Sequence, residues 1–214
     1  MIKYFTELHL GSLVLRDPAT GLTNILIFLA GWLAYRQLKK TSPSSAWRWF
    51  FIYIGISSLV GVIVHCFSYY TPEPIHFWIW ITMGLIQNFG ITCAQIGTAQ
   101  QYFKKYLRPI SMIAIIQFTA LGLLFIFRGS YEIVKLHTAI GLVPVMIWYL
   151  YRGYFFRPAL WIGFGILFAS ISGIVHSLKL SFSPWFNYND IAHVVLVVSL
   201  LMMGKGLSRM EEKR

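Results

Sequence analysis

The chain has 214 residues, of which 57% are hydrophobic and 12% charged, with eight Trp. That balance excludes a soluble globule and defines an integral membrane protein. The formal net charge of +11 is concentrated in one set of loops, so it reads as contact with an anionic lipid leaflet and not as a nucleic-acid surface.

The first fifteen residues, MIKYFTELHLGSLVL, lack the charged start and apolar core of a cleavable signal. They read as a short interfacial helix before Arg16-Asp17-Pro18. Seven apolar stretches follow, over 21–35, 46–66, 75–97, 109–127, 133–151, 158–178 and 189–207. Most approach the ~20 residues that a helix needs to cross ~30 Å of hydrocarbon. The expected fold is all-α: one seven-helix transmembrane bundle over residues 1–214. Residues 1–20 form an outer segment and 208–214 a basic cytoplasmic tail.

Thr41-Ser42-Pro43-Ser44-Ser45 is a polar break that offers hydroxyl caps to the second helix. Thr71-Pro72-Glu73-Pro74 makes a tight turn between helices two and three. Pro144 is expected to kink helix five. Trp47, Trp49, Tyr69, Tyr70, Trp148, Tyr149, Trp161 and Trp185 fall near helix ends, as interfacial aromatic belts require. Cys66 and Cys93 lie at different depths, too far apart for the ~6 Å between Cα atoms that a disulfide allows.

Charge sets the orientation. Arg36, Lys39, Lys40, Arg48, Lys104, Lys105, Arg108, Arg152, Arg157, Lys205, Arg209, Lys213 and Arg214 are thirteen of the eighteen basic residues, and all fall at one end of the bundle. The other end carries Lys3, Arg16, Arg128, Lys135 and Lys179 against Glu7, Asp17, Glu73, Glu132 and Asp190. Positive residues accumulate in cytoplasmic loops, so the N-terminus is expected outside and the C-terminus inside.

With that topology all six histidines lie at the outer side. His65 ends helix two, His76 opens helix three, His137 opens helix five, His176 nearly ends helix six, and His193 begins helix seven. His9 precedes helix one. Polar residues inside a span are costly and face the bundle interior. Here Ser58, Gly61 and His65 share one face of helix two. His76, Trp80, Gly84, Asn88 and Thr92 form a four-residue row on helix three. Ser172 and Gly173 lie a turn from His176, and Asn189 and Asp190 flank His193.

Three neutral imidazoles from His65, His176 and His193 suit zinc, with His76 a further candidate ligand. The fourth position is open to water or a carboxylate. Asp190 and Glu73 are the candidate general bases, ligands or orienters of a ligand. Each residue has a plainer reading: interhelical hydrogen bonding for the three histidines, solvation at a helix start for His76, a helix cap for Asp190. His9 and His137 read as interfacial residues with no ligand role. Gln87, Asn88, Gln95 and Gln117 read as interhelical hydrogen-bonding groups.

Seven helices with the N-terminus outside, a histidine late in helix two and another at the start of helix seven resemble the alkaline ceramidase and adiponectin-receptor superfamily. Thr23-Asn24 is similar to the Thr/Ser-Asn step of ceramidases, and the stretch from Phe186 to His193 looks like uncharacterised bacterial relatives. The resemblance implies an intramembrane zinc site, hydrolysis of a lipid amide or ester, and a bacterial inner membrane. Where the family has Ser-x-x-x-His, then Asp, then His-x-x-x-His, this chain has Gly61-x-x-x-His65, His76 and Asn189-x-x-x-His193. The carry-over therefore covers His65 and His193 as ligands. Ser58, one turn from Gly61, is the candidate replacement for the missing hydroxyl, and His176 or His76 completes the metal sphere.

The leading expectation is a zinc-dependent lipid amidase or esterase whose partners are membrane lipids. The alternative is a non-catalytic seven-helix sensor or ligand-binding protein. Haem electron transfer through His65 and His176 ranks third, because the inner half has no histidine for a second haem. A retinal protein is excluded by Lys205 lying at the inner end of helix seven. Substrate and oligomeric state are not encoded legibly.

Overall fold

Seven long helices dominate the computed structural model, which describes residues 6–41 and 45–211. They are α1 (Pro18–Thr41), α2 (Ser45–Cys66), α3 (Glu73–Tyr102), α4 (Leu107–Arg128), α5 (Tyr131–Phe155), α6 (Pro158–Leu178) and α7 (Tyr188–Glu211). All seven are long and apolar enough to cross a membrane. Most outrun the apolar stretches of the sequence. Hydropathy falls where charges begin, but a helix continues while its basic side chains reach back toward the interface. Thus α1 extends through Arg36 and Lys39, and α7 takes in residues 208–211 of the expected basic tail. The caps expected from 42–44 and the tail at 212–214 lie outside the described residues. The helix of α5 is unbroken through Pro144.

The segment before α1 is a β-hairpin and not the expected interfacial helix. Strands β1 (Glu7–Leu10) and β2 (Leu13–Arg16) pair antiparallel, with Glu7 opposite Arg16 and Leu10 opposite Leu13. Leucines at alternate positions on either side of Gly11-Ser12 carry this signal. Gly11 has φ +64°, which the first central position of a type II′ hairpin turn demands. The Tyr70 hydroxyl ties the hairpin to the α2–α3 corner. It accepts from Val14 N at 2.7 Å and donates to Ser12 O at 3.1 Å. Arg16 bonds Glu7 Oε1 at 3.1 Å and lies over the Tyr69 ring. The chain then turns into α1 through Asp17, at φ +43°. Its amide donates to Thr6 O, and its carboxylate accepts from the Thr6 hydroxyl at 3.2 Å.

Six helices close into a ring in the order α1, α2, α3, α5, α6, α7 and back to α1. Helix α4 lies outside it, against α3 and α5, and is the least buried and most apolar of the seven. The two ends of the ring differ. At the basic end its interior is solid, built on Leu38, Trp47, Phe50, Phe51, Tyr149, Ile162, Leu200, Met203 and Leu207. Trp47 and Tyr149 are both 0% exposed. They are core residues here and not belt anchors, whereas Trp49, Tyr69, Tyr70 and Trp185 are exposed as a belt requires. Gly97 makes room for the indole: a Cβ there would stand 2.6 Å from Trp47 Cδ1.

Candidate functional site: a histidine-walled cavity

The histidine end of the ring is hollow. A cavity of about 1830 Å³ occupies it, walled by residues of all six ring helices and by none of α4. It reaches from Glu73 and Lys179 at the mouth to Phe50 and Met203 in depth. Met203 lies fifteen residues into α7, so at 1.5 Å per residue the depth is about 22 Å.

His65, His76, His176 and His193, from α2, α3, α6 and α7, all line this cavity, as do Ser58 and Glu73. The shared layer expected from sequence therefore exists as a shared wall. His193 is anchored at one ring nitrogen. Its Nδ1 lies 2.9 Å from Thr23 Oγ1, and that hydroxyl lies 3.1 Å from Thr20 O. A hydroxyl has one hydrogen to give. We assign it to the Thr20 carbonyl, so that His193 Nδ1–H donates to Thr23 and Nε2 keeps its lone pair. A metal-binding imidazole is commonly oriented in this way, by a bond at its other nitrogen. His65 and His176 are near enough to act electrostatically on His193. His176 stands between two tyrosines, 5.4 Å from the Tyr131 ring and 5.2 Å from Tyr188, and its Nδ1 is buried without a hydrogen-bond partner.

The arrangement stops short of a formed metal site. Among the described residues, no three His, Cys, Asp or Glu side chains are gathered closely enough to hold one ion as they stand. The donor chemistry suits zinc. As they stand, His65, His176 and His193 are not a formed ligand set among the described residues.

The candidate acids part company. Glu73 is exposed in the first turn of α3 and lines the mouth. Asp190 is 0% exposed and does not line the cavity. One of its oxygens accepts from Thr20 Oγ1 at 2.8 Å, the other from Asn187 N at 2.7 Å. Asn187 Oδ1 in turn accepts from Asn189 N at 2.8 Å. That reciprocal pair is a capping box at the start of α7, which fixes the helix turn that presents His193. Ser58 donates to its own helix at Gly55 O, 2.7 Å away. Asn24 fills the space beside Gly61: a Cβ on that glycine would lie 2.9 Å from Asn24 Oδ1.

Two further expectations are corrected. His137, expected at the interface, is enclosed by protein. It is 0% exposed, beside Phe118, with neither ring nitrogen hydrogen-bonded. Asn88, expected to bond between helices, is also buried with both amide atoms unpartnered. The other amides do link helices: Gln95 to Gln117 at 3.1 Å, Gln117 to His137 O at 3.1 Å, and Tyr131 to Gln87 at 2.8 Å. His9 sits on the hairpin within 3.6 Å of Glu7, away from the cavity wall. Cys66 and Cys93 are free and buried.

Sequence reasoning missed Thr20 and Thr23 as positioning residues. Their signal was present: Thr20, Thr23 and Asn24 are spaced by three and four, a polar stripe on an otherwise apolar span.

Fold and cavity together define a class: a bundle of seven helices of membrane-crossing length, hollow at one end and lined there by histidines. The chain belongs to the family described as "Family of unknown function (DUF6962)", whose model matches residues 19–212. No curated protein and no solved structure matches it.

Proposed function

We propose that the chain is a membrane-embedded, zinc-dependent hydrolase of a lipid amide or ester. The observation that carries this reading is the common wall of His65, His76, His176 and His193, with His193 held by Thr23. In this reading the histidine end faces the extracytoplasmic leaflet and the C-terminus is cytoplasmic, because the basic residues crowd the opposite end. The location would be a bacterial inner membrane and the kinship that of the ceramidase and adiponectin-receptor superfamily, on the strength of the residues that resemble it.

His193, His65 and His176 would hold the metal, with His76 the nearest substitute. Zinc, when bound, supplies a water with a pKa near ~7 and polarises the scissile carbonyl. The chain's own residues do the rest. Thr23 fixes the His193 tautomer, and the Asp190–Asn187 cap fixes the turn that carries it. Glu73, which lines the mouth, would be the acid that takes and returns a proton. Ile54, Leu142 and Leu196 on the cavity wall shelter the apolar part of a lipid.

Elemental analysis by mass spectrometry on protein purified in detergent tests this directly. About one zinc per chain is expected in wild type and in His9→Ala, with most of it lost in His65→Ala, His176→Ala and His193→Ala. Wild type without stoichiometric metal removes the reading.

A second reading, a non-catalytic ligand-binding bundle, is favoured by two specific observations. Among the described residues no three ligands are gathered as the side chains stand, and Gly61 offers no hydroxyl where the resembled family has one. Metal-loaded protein that turns over no member of a lipid amide and ester panel would select it.

A further inference from the structure

Four rings form a continuous belt along the cavity near its mouth. Trp80, Tyr131, His176 and Tyr188 follow one another at centroid separations of 5.4, 5.4 and 5.2 Å, with planes turned by 47°, 47° and 84°. All four line the cavity. Successive rings turned against each other give a curved wall. Two polar handles are tied into the protein: Trp80 Nε1 donates to Gly129 O at 3.1 Å, and the Tyr131 hydroxyl to Gln87 Oε1 at 2.8 Å. That fixes Trp80 and Tyr131 and leaves their π surfaces as the chemistry they offer to a ligand. An aromatic wall of this kind attracts a cation too bulky and apolar to need hydrogen bonds.

Charge at the mouth is arranged in two poles. On the α3 side Glu73 precedes Phe77 and Trp80, and Asp17 lines the same cavity. On the α5–α6 side stand Glu132, Lys135 and Lys179, with Lys179 the charge in excess. Lys135 is paired with Glu132 and donates to Ser177 Oγ at 2.8 Å. A simple cation would meet repulsion from Lys179, and a simple anion would meet the carboxylates. A zwitterion satisfies both poles.

We propose that the cavity mouth binds the zwitterionic head of an amphiphile bearing a quaternary ammonium, of the phosphocholine type. The ammonium rests against Trp80 and Tyr188, the phosphate lies toward Lys179, and the apolar tail descends along the cavity. This names the substrate class of the site proposed above. Only the cleavage of that substrate rests on the zinc reading; its binding does not.

The test uses full-length protein in nanodiscs of phosphatidylglycerol, which carry no quaternary ammonium. Phosphocholine, choline and dimethylbutanol, the uncharged carbon isostere of choline, are titrated by calorimetry. Choline and phosphocholine should bind at least about tenfold tighter than dimethylbutanol. Trp80→Leu and Tyr188→Leu should each weaken both by about tenfold, while Tyr188→Phe, which keeps the ring, should not. Lys179→Ala should weaken phosphocholine, by loss of the phosphate's partner, and tighten choline, by loss of the repulsion. Phosphatidylcholine added to the nanodiscs should compete with choline; failure to compete makes the ligand a soluble cation and overturns the amphiphile. Equal binding of choline and dimethylbutanol, or undiminished binding in the two Leu variants, overturns the aromatic site. Wild type stripped with a chelator should bind choline as the untreated protein does, so loss of metal and loss of headgroup binding are separable results.

Discussion

Along α6 and α7 the two ends of the helix ring use glycine in opposite ways. At the basic end, Gly163, Gly165 and Gly206 bring helices into contact. A Cβ at these positions would lie 2.7 Å from Leu150, 2.6 Å from Met203 and 2.6 Å from Ile162. At the histidine end Gly173 of the same α6 has nothing within 4 Å of its Cβ direction. Helix α6 is locked to its neighbours where large side chains interdigitate with glycine and borders the cavity where they do not. Lipid offers apolar residues as good a home as the bundle does, so helix association rests on close packing of this sort. A hollow end is therefore sustained by a tightly packed one, and function has room only where packing has been given up.

The sharpest test of that contrast pairs two tryptophans. Trp47→Ala in the solid end should cost about 3 kcal/mol or more. Trp80→Ala on the cavity wall should cost well under half of that, since its ring already borders open space. Thermal or denaturant unfolding in one detergent measures both, and equal losses would mean that the histidine end is packed after all.

A gentler version uses the glycines. Gly206→Ala should destabilise by about 1–3 kcal/mol through overpacking. Gly173→Ala should stabilise by about 0.5–1 kcal/mol, because it removes backbone freedom in an open helix position.

Thr23→Val probes the hollow end without touching a ligand. Loss of the bond to His193 Nδ1 should lower zinc affinity by about 10–100-fold while the melting temperature changes little. A chelator competition titration reads the affinity. An unchanged value would detach Thr23 from the metal reading.

The smallest expected effect lies outside the spans. Burial raises the Asp17 carboxyl above its ordinary value of 3.8, against the opposing Thr6 hydrogen bonds, and Asp190 adds to the rise. The folded state therefore holds this proton more tightly than the unfolded chain. Its contribution is present below 3.8 and is lost as pH climbs through the raised folded value. Asp17→Asn, which keeps an acceptor for Thr6, should remove that segment of the pH dependence. Hydrogen exchange at the hairpin amides between acid and neutral pH would show it.

Particular residues show how far the sequence could be read. Seven spans were legible because hydropathy reports solvent, and 18–25-residue apolar runs have one economical fate in a bilayer. The shared depth of His65, His76, His176 and His193 was legible too, because helix rise converts sequence position into depth. What faced what was not. Asp190 reads as a base or as a helix cap in sequence, and its bonds to Thr20 and Asn187 are those of the cap. His137 reads as interfacial, yet it is buried. Trp47 reads as a belt residue, yet it fills the core against Gly97. Each of these depends on the rotation of a helix and on the identity of its neighbour.

Sequence alone determined the number of spans, the segregation of charge and the depth of each polar group, since these follow from local composition and a fixed rise per residue. Only the tertiary structure decided that α4 stands outside the ring and that the histidines share one cavity. It also decided that a threonine on α1 holds the histidine of α7. Those facts arise from contacts between segments up to 170 residues apart, and no local pattern encodes which distant face a side chain will meet.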